Sequence, residues 1–260
     1  MIVDTILNDS INADLVCLQE VQVDLFPDLM LDLGDVFHGV LQNVSKTHNV
    51  ATAILVQRDC PFRIKRVESR SRALIAVLED KTTSHSLYLC SVHLDAGAMN
   101  YRDRESRGFH QSQRENQLKS LLKKLNNHCR MDGVDLDRAP IVIAGDFNML
   151  QDNPIHPALM KGKISPRYSI QLRDVYLETK TQNRRPIPLH RPHSAGRRSA
   201  YLAKTHRGGY VLDYFFVSDK VKVIDTLLCH PSASTHSIEN LPSKDYPSDH
   251  LPIGIDIAWE

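Results

Sequence analysis

A carboxylate and an amide stand at the end of an apolar run near the middle of the chain. The segment IVIAGDFN places Asp146 and Asn148 two residues apart, directly after Ile141, Val142 and Ile143. Side chains two residues apart on a strand point to the same face, so these two polar groups are predicted to stand together. One is an acceptor and the other chiefly a donor, which suits a site that grips a bound group.

Further polar residues stand where other apolar runs end or begin. Glu20 closes LVCLQE, His93 closes LYLCSVH, and Asp249 with His250 opens the last strand in PSDHLPI. One polar residue at a strand end is ordinary solvation, and taken alone His93 also fits a core histidine and Asp249 a turn residue. Polar residues at several predicted strand ends together predict a shared site.

Asp213 is the most conspicuous of these carboxylates. In YVLDYFFV it shares one strand face with Val211, Phe215 and Val217. An ionised carboxylate on such a face is costly unless it is paired and hydrogen-bonded. His250 is the predicted partner, because a buried aspartate fixes the tautomer of an imidazole and raises its pKa.

The elements that must position these residues are predicted from apolar periodicity. Helical spacing predicts a first helix over Ile2–Ile11 and a long helix over Arg104–His128, which carries one stripe of leucines. The predicted strands are Asp14–Glu20, Ala51–Gln57, Ala73–Glu79, Ser86–Leu94, Pro140–Phe147, Tyr210–Val217, Val221–Cys229 and Leu251–Trp259. This mixture predicts an α/β fold of packed sheets flanked by helices.

Length and composition restrict the class of protein. The 260 residues suit one domain over 1–260, and 32 Lys and Arg against 31 Asp and Glu give a net charge of +1, so any site for a polyanion must be local. The five cysteines are odd in number and lack paired zinc spacing, which favours a reducing compartment. No apolar run approaches the ~20 residues that span a bilayer. We therefore expect a soluble intracellular protein, cytoplasmic or nuclear, with no membrane partner.

A basic segment precedes the strand of Asp213. Gln182–Gly209 lacks apolar periodicity and is predicted to be a loop, with seven Arg or Lys and no Asp or Glu from Arg184 to Arg207. Its cations, with one aromatic ring that can stack on a base, are candidate contacts to a nucleic acid. The candidate residues are Arg197, Arg198, Arg207 and Tyr201. A solvated surface loop is the alternative explanation.

Five short motifs together resemble a known family. They are LQE at 18–20, SVHL at 91–94, GDFN at 145–148, LDYFFV at 212–217 and PSDH at 247–250. In this order and near this spacing they resemble the endonuclease/exonuclease/phosphatase superfamily with its DNase I-like fold. The strand ATAILVQ and the downstream LPS…YPSDH resemble the deadenylase branch, which includes nocturnin, Angel proteins and 2′-phosphodiesterase. The resemblance implies a two-layer β-sandwich flanked by helices, a four-layer α/β/β/α arrangement.

The resemblance also implies a role for each site residue. Asp146 would orient or deprotonate the attacking water, and Asn148 would donate to a phosphate oxygen. His250, with Asp213 behind it, would stabilise or protonate the pentacovalent phosphate, while His93 donates to a nonbridging oxygen.

A divalent cation is implied in the same way. Glu20 would hold Mg²⁺, with Mn²⁺ as the alternative ion, and Asp249 would help the metal or its waters. Family members begin with a strand that carries an asparagine near the metal, whereas this chain starts at the following helix. We therefore expect weak metal binding and an unpaired sheet edge.

The implied function is a Mg²⁺-dependent phosphodiesterase that acts on RNA, releasing nucleotides from a 3′ end such as poly(A). Two alternatives stay open at this point: an abasic-site or other DNA endonuclease of the same superfamily, and a catalytically silent RNA-binding module. The sequence does not separate a 3′–5′ from a 2′–5′ linkage, or either from a dinucleotide substrate such as NADPH.

Overall fold

The computed structural model describes residues 2–7, 12–45, 48–97, 104–177, 204–228, 241–242 and 248–259. Its α-helices are α1 (Ile2–Ile6), α2 (Phe26–Leu33), α3 (Arg104–Met131) and α4 (Ile155–Met160). Its strands are β1 (Leu15–Gln22), β2 (Phe37–Leu41), β3 (Val50–Gln57), β4 (Phe62–Arg70), β5 (Ala73–Asp80), β6 (Ser86–His93), β7 (Ile141–Asp146), β8 (Arg173–Asp174), β9 (Asp213–Val217), β10 (Val221–Leu228) and β11 (Ile253–Trp259).

The strands form one large sheet and two smaller ones. The six-stranded sheet has the order β4-β5-β6-β7-β9-β8, and only its β6–β7 pair is parallel. Because a parallel pair needs a crossover, the chain between β6 and β7 runs through the long helix α3. The smaller sheets have the orders β1-β3-β2 and β10-β11.

Apolar cores lie between the four layers of the described chain. One core fills the space between the large sheet and the two smaller sheets, with Leu74 and Val142 on one side and Ile54 on the other. A second lies between the large sheet and α3, and a third between the three-stranded sheet and α1 with α2. The predicted sandwich of two sheet layers flanked by helices is therefore confirmed.

Burial explains why the strand predictions succeed. β3, β5 and β6 each carry six consecutive buried residues, as expected for strands that are covered on both faces. The leucine stripe of α3 is also confirmed, since Leu118, Leu121, Leu122 and Leu125 are all buried. The predicted strand over Tyr210–Val217 was too long, because Tyr210 forms only an isolated bridge to His206 across a tight turn and β9 begins at Asp213.

The facing edges of the two smaller sheets leave an apolar groove. β1 and β11 each end their sheet, and together they line a cavity of about 610 Å³ over residues of the large sheet such as Leu89, Val142 and Phe215. Within the described part of the chain, the outer edge of β1 has no strand partner.

Two expectations from composition, on cysteines and on membrane spans, can be compared with the described residues. Cys17, Cys60, Cys90 and Cys129 are free thiols, while Cys229 lies outside that part of the chain. Across the same ranges, the helices lack the combination of length and apolar character that crossing a membrane requires.

Candidate active site

Three strands of the large sheet bring polar residues into one row. The register of β6 and β7 pairs His93 with Asp146, and the register of β7 and β9 pairs Asp146 with Asp213. The carboxyl ends of the parallel strands β6 and β7 thus meet the amino end of the antiparallel strand β9. Sheet pairing alone sets these three residues side by side.

His250 completes the row from the segment before β11. Its Nδ1 lies 2.8 Å from Oδ2 of Asp213, so the predicted pairing of these two residues is confirmed. This bond leaves Nε2 of His250 directed at the row, 3.9 Å from Oδ2 of Asp146. The same Oδ2 atom lies 3.7 Å from Nε2 of His93, so Asp146 stands between two imidazoles.

Asn148 meets Asp146 in a different way from the one expected. β7 ends at Asp146, and Asn148 has a φ of 49°, so the two side chains do not alternate along one extended strand. Instead, the Asn148 amide donates to Oδ2 of Asp146 (2.9 Å) and to the carbonyl of Leu94 (3.0 Å). Its backbone N–H donates to Oδ1 of Asp146 (2.7 Å). Asn148 therefore orients Asp146 here, and its donation to a phosphate oxygen stays a prediction.

Gly145 permits the close approach of β6 and β7 at the row. Its φ is +131°, and an added Cβ would collide with the backbone carbonyl of Val92. A side chain at this position would therefore separate the strands that hold His93 and Asp146.

A β-bulge directs Glu20 toward the site. The β1–β3 register shifts between Leu18 and Val21, and Glu20 has a φ of 56° within that irregularity. Beside it, Gln19 Nε2 donates to Oγ of Ser91 (3.1 Å) and ties the bulge to the large sheet. The Glu20 carboxylate lies 3.7 Å from Nε2 of His93, although its side chain is 69% exposed. The bulge thus presents an open carboxylate beside the row.

Burial and charge set opposite protonation preferences within the row. Burial, with the negative charge of Asp213, raises the pKa of Asp146 to about 7 against the opposing charge of His250. Burial lowers the pKa of His250, but the hydrogen bond to Asp213 and the charges of Asp213 and Asp146 outweigh it and raise that pKa to about 9. Burial lowers the pKa of His93 despite Glu20, and the Arg72 cation lowers it further. Near neutral pH, His250 is therefore a cation and His93 is neutral.

The residues present fit a hydrated divalent cation. Within the described residues, His, Cys, Asp and Glu form no cluster of three or more that would enclose a metal ion. Mg²⁺ does not need such a cage, because it is commonly held by one or two carboxylates and keeps several waters. The exposed carboxylate of Glu20 has the chemistry of such a ligand, and its part in metal binding stays a prediction. Asp249 lies 3.7 Å from His206 and 3.6 Å from Arg207, and its part in metal binding stays a prediction.

The basic segment is only partly visible. Arg197, Arg198 and Tyr201 lie outside the described residues. Arg207 is described, and its exposed guanidinium sits beside Asp249 at the border of the site.

The turn before β9 contains site residues that sequence reasoning missed. The Thr205 hydroxyl oxygen accepts the backbone N–H groups of Leu212 (2.9 Å) and Asp213 (3.2 Å), and its carbonyl accepts the N–H of Leu251 (2.6 Å). The His206 ring packs edge to face on His250 with centroids 4.9 Å apart. This turn therefore ties Asp213 and His250 together. Its segment has no apolar periodicity, so no sequence signal marked these residues.

Comparison with known proteins agrees with this geometry. The sequence model of the Endonuclease/Exonuclease/phosphatase family matches residues 131–250, which include Asp146, Asp213 and His250. Carbon catabolite repressor protein 4 homolog 4 of Arabidopsis thaliana is 28% identical over 144 residues, covering 54% of this chain and 32% of that protein.

Two further relatives align with nearly the whole chain. A probable CCR4-Not complex 3′-5′-exoribonuclease subunit Ccr4 of Vairimorpha ceranae is 23% identical, covering 93% of this chain and 54% of that protein. The 2′,5′-phosphodiesterase 12 of Mus musculus is 25% identical, covering 96% of this chain and 44% of that protein. The chain thus spans between a third and about half of the length of these curated relatives.

Solved structures share the fold. ANGEL2, a 2′,3′-cyclic phosphatase, superposes with a TM-score of 0.71 at 20% identity, covering 98% of this chain and 84% of that chain. The human nocturnin catalytic domain superposes with a TM-score of 0.61 at 20% identity, covering 95% and 82% respectively. Together with the family match, these findings confirm the resemblance that the motifs indicated, to the endonuclease/exonuclease/phosphatase superfamily and its nocturnin, Angel and 2′,5′-phosphodiesterase members.

Proposed function

We propose that this chain is a divalent-metal-dependent phosphodiesterase that hydrolyses RNA, removing nucleotides from a 3′ end such as poly(A). The observation that carries the proposal is the convergence of His93, Asp146, Asp213 and His250 at the ends of three strands and one loop. Such a row offers a base, a cation and a neutral hydrogen-bonding group side by side, which is what water attack on a phosphodiester requires.

Asp146 is the proposed base. Its pKa of about 7 suits a group that takes a proton from water near neutral pH. The two N–H groups of Asn148 hold the carboxylate in place, so its orientation does not depend on a substrate. Water would attack phosphorus and lose a proton to Asp146, the bond to the 3′-oxygen of the preceding nucleotide would break, and that oxygen would take up a proton from the solvent, to which Asp146 then releases its own.

His250 is the proposed cation for the charge that develops on phosphate. Asp213 keeps it protonated and fixes the ring so that Nε2 faces Asp146. His93, which is neutral near pH 7, would donate a hydrogen bond to a nonbridging oxygen on the other side of Asp146. The two histidines would therefore hold one phosphate from two directions.

Glu20 is the proposed protein ligand of Mg²⁺ or Mn²⁺. When bound, such an ion supplies positive charge that neutralises the phosphodiester. The choice of RNA is supported by the relatives, among which the Vairimorpha ceranae protein is named a probable 3′-5′-exoribonuclease subunit.

A substrate panel tests the proposal. Purified protein is incubated with labelled oligo(A), mixed-sequence RNA, 2′–5′ oligoadenylate, abasic DNA and NADPH, each with and without Mg²⁺. We expect Mg²⁺-dependent stepwise shortening of oligo(A) from its 3′ end, and none with the Asp146→Asn variant. Preferential cleavage of abasic DNA would instead support a DNA endonuclease, and RNA binding without turnover would support a silent binding module.

A further inference from the structure

A second groove, of about 630 Å³, begins at His93 and runs between strand ends and helix α3. Among the described residues, its lining includes two arginines, Arg70 and Arg72, and two histidines, His48 and His93, but no carboxylate. The catalytic row beside it is rich in carboxylates, so this groove is the cationic flank of the site. A ligand that fits it is an anion.

Arg72 is the cation of the groove that is available to such a ligand. Its backbone carbonyl accepts the N–H of His93 (3.1 Å), so the two residues are cross-strand neighbours. Arg70, by contrast, is held in the wall, where its guanidinium donates to Oγ of Ser120 (2.8 Å). Within the described part of the chain, Arg72 forms no ion pair with a carboxylate. A phosphate is the group that a guanidinium in this position would recognise.

Helix α3 adds a row of amides opposite the strands. Gln113, Asn116, Gln117 and Ser120 line the groove with the i, i+3, i+4 and i+7 spacing of one helix face. The side-chain oxygen Oε1 of Gln117 already accepts the backbone N–H of Asp95 (3.0 Å). Gln113 and Asn116 are therefore the side-chain amides that face outward. Amides both donate and accept, as the exposed edges of unpaired bases require.

We propose that this groove binds the nucleotide next to the scissile phosphate in single-stranded RNA, with Arg72 holding its phosphate and the α3 amides facing its base. The inference rests on the proposed function, because it takes His93 to mark the position of the scissile phosphate. Phosphate at one end and amides along one wall match the two chemical parts of a nucleotide.

The test is a double-mutant cycle between Arg72 and one phosphate. Binding of twelve-nucleotide oligo(A) is measured by fluorescence anisotropy in EDTA, so that no turnover interferes. Arg72→Gln should weaken binding about tenfold and lower the slope of log affinity against log salt by about 0.7. Arg138→Gln is the matched control, because this exposed arginine precedes β7 at the end opposite Asp146 and should leave both values at those of the parent.

Neutral methylphosphonate, placed at one linkage at a time, supplies the other half of the cycle. The parent should lose about tenfold in affinity at one linkage, and Arg72→Gln should lose nothing further at that same linkage. Gln113→Ala combined with Asn116→Ala should weaken binding of oligo(A) but not of an oligomer that lacks the base at the neighbouring position.

The outcomes separate the groove from the catalysis. The groove assignment would be overturned if the parent protein cleaves RNA with Mg²⁺ but no linkage shows a methylphosphonate effect that depends on Arg72. It would also be overturned by a parent that does not bind the oligonucleotide. A parent with the expected cycle and no cleavage would keep the groove and overturn the proposed hydrolysis.

Discussion

At the scale of single residues, Asp146 has two imidazole neighbours that differ in charge. Nε2 of His250 lies 3.9 Å from its Oδ2 atom and Nε2 of His93 lies 3.7 Å away. The pKa of His250 is raised to about 9 by Asp213, whereas burial lowers that of His93. In the proposed mechanism this asymmetry would give the histidines different roles, because His250 would supply charge and His93 a neutral donor.

Asp146→Asn should lower turnover of oligo(A) by at least ~100-fold, because the amide cannot accept a proton from water. The fold should survive, since the substitution keeps the shape and removes a charge whose burial is costly. Turnover at saturating Mg²⁺ measures the loss of activity, and urea unfolding measures whether the fold is retained. Asp137→Asn is the matched control, an exposed aspartate ahead of β7 that lies outside the site. A folded Asp146→Asn protein with turnover near that of the parent would remove Asp146 from the chemistry.

His250 should titrate near pH 9 in the metal-free protein, and Asp213→Asn should move that pKa down toward ~6.5, the value for a free imidazole. The pKa is higher in the folded than in the unfolded chain. The pair therefore stabilises the fold fully below about pH 6.5, and this contribution is lost as the pH rises through about 9. Imidazole NMR titration measures the pKa, and unfolding across the same pH range measures the stability. A His250 pKa of ~6.5 in the parent would show that Asp213 does not hold its charge.

At the scale of elements, irregular segments bring Glu20 and His250 to a row of residues that regular strands position. The bulge in β1 presents Glu20, and the turn at Thr205 links β9 to the segment before β11. Strand register places the row itself, so these irregular parts adjust a geometry that the large sheet already provides.

Thr205→Val should destabilise the protein by about 1–3 kcal/mol, because two buried N–H groups, those of Leu212 and Asp213, lose their acceptor. Turnover should also fall and the His250 pKa should shift, since Asp213 is no longer held. Urea unfolding and the imidazole titration measure these changes. Thr205→Ser keeps the hydroxyl and should restore both values; if it behaves like the valine variant, the side-chain methyl rather than the hydrogen bonds matters.

Glu20→Gln should raise the Mg²⁺ concentration for half-maximal turnover on the order of tenfold, because the bulge loses its only charged oxygen ligand. Unfolding should hardly change, since the side chain is 69% exposed. Mg²⁺ titrations of turnover compare this variant with Glu115→Gln, a substitution on the outer part of α3. Identical titrations for all three proteins would place the metal elsewhere.

At the scale of the whole molecule, the sequence predicted the parts that burial dictates. Strands such as β3, β5 and β6 are covered on both faces, and their unbroken apolar runs predicted buried strands. β4 was missed because its alternating charged residues reflect an exposed face and resemble a loop. The short helices α2 and α4 have too few turns for a periodic pattern.

The site residues divide in the same way, into those that burial makes predictable and those that depend on which strands become neighbours. The pairing of Asp213 with His250 was predictable because a buried carboxylate needs a partner. The contacts of Thr205, His206 and Arg72 depend on which strands become neighbours, and local sequence does not encode that. The bulge at Glu20 was likewise invisible, since LQEVQ contains no glycine to mark a positive φ.

In the proposed reaction, Asp146 and its neighbours direct water onto a phosphodiester. Hydrolysis of oligo(A) in water enriched in ¹⁸O, followed by mass spectrometry of the released nucleotide, tests it most directly. We expect Mg²⁺-dependent release of 5′-AMP that carries one ¹⁸O on its phosphate, with none released by Asp146→Asn. Release of unlabelled nucleotide, or equal labelled release by the parent protein and Asp146→Asn, would rule out water attack directed by Asp146.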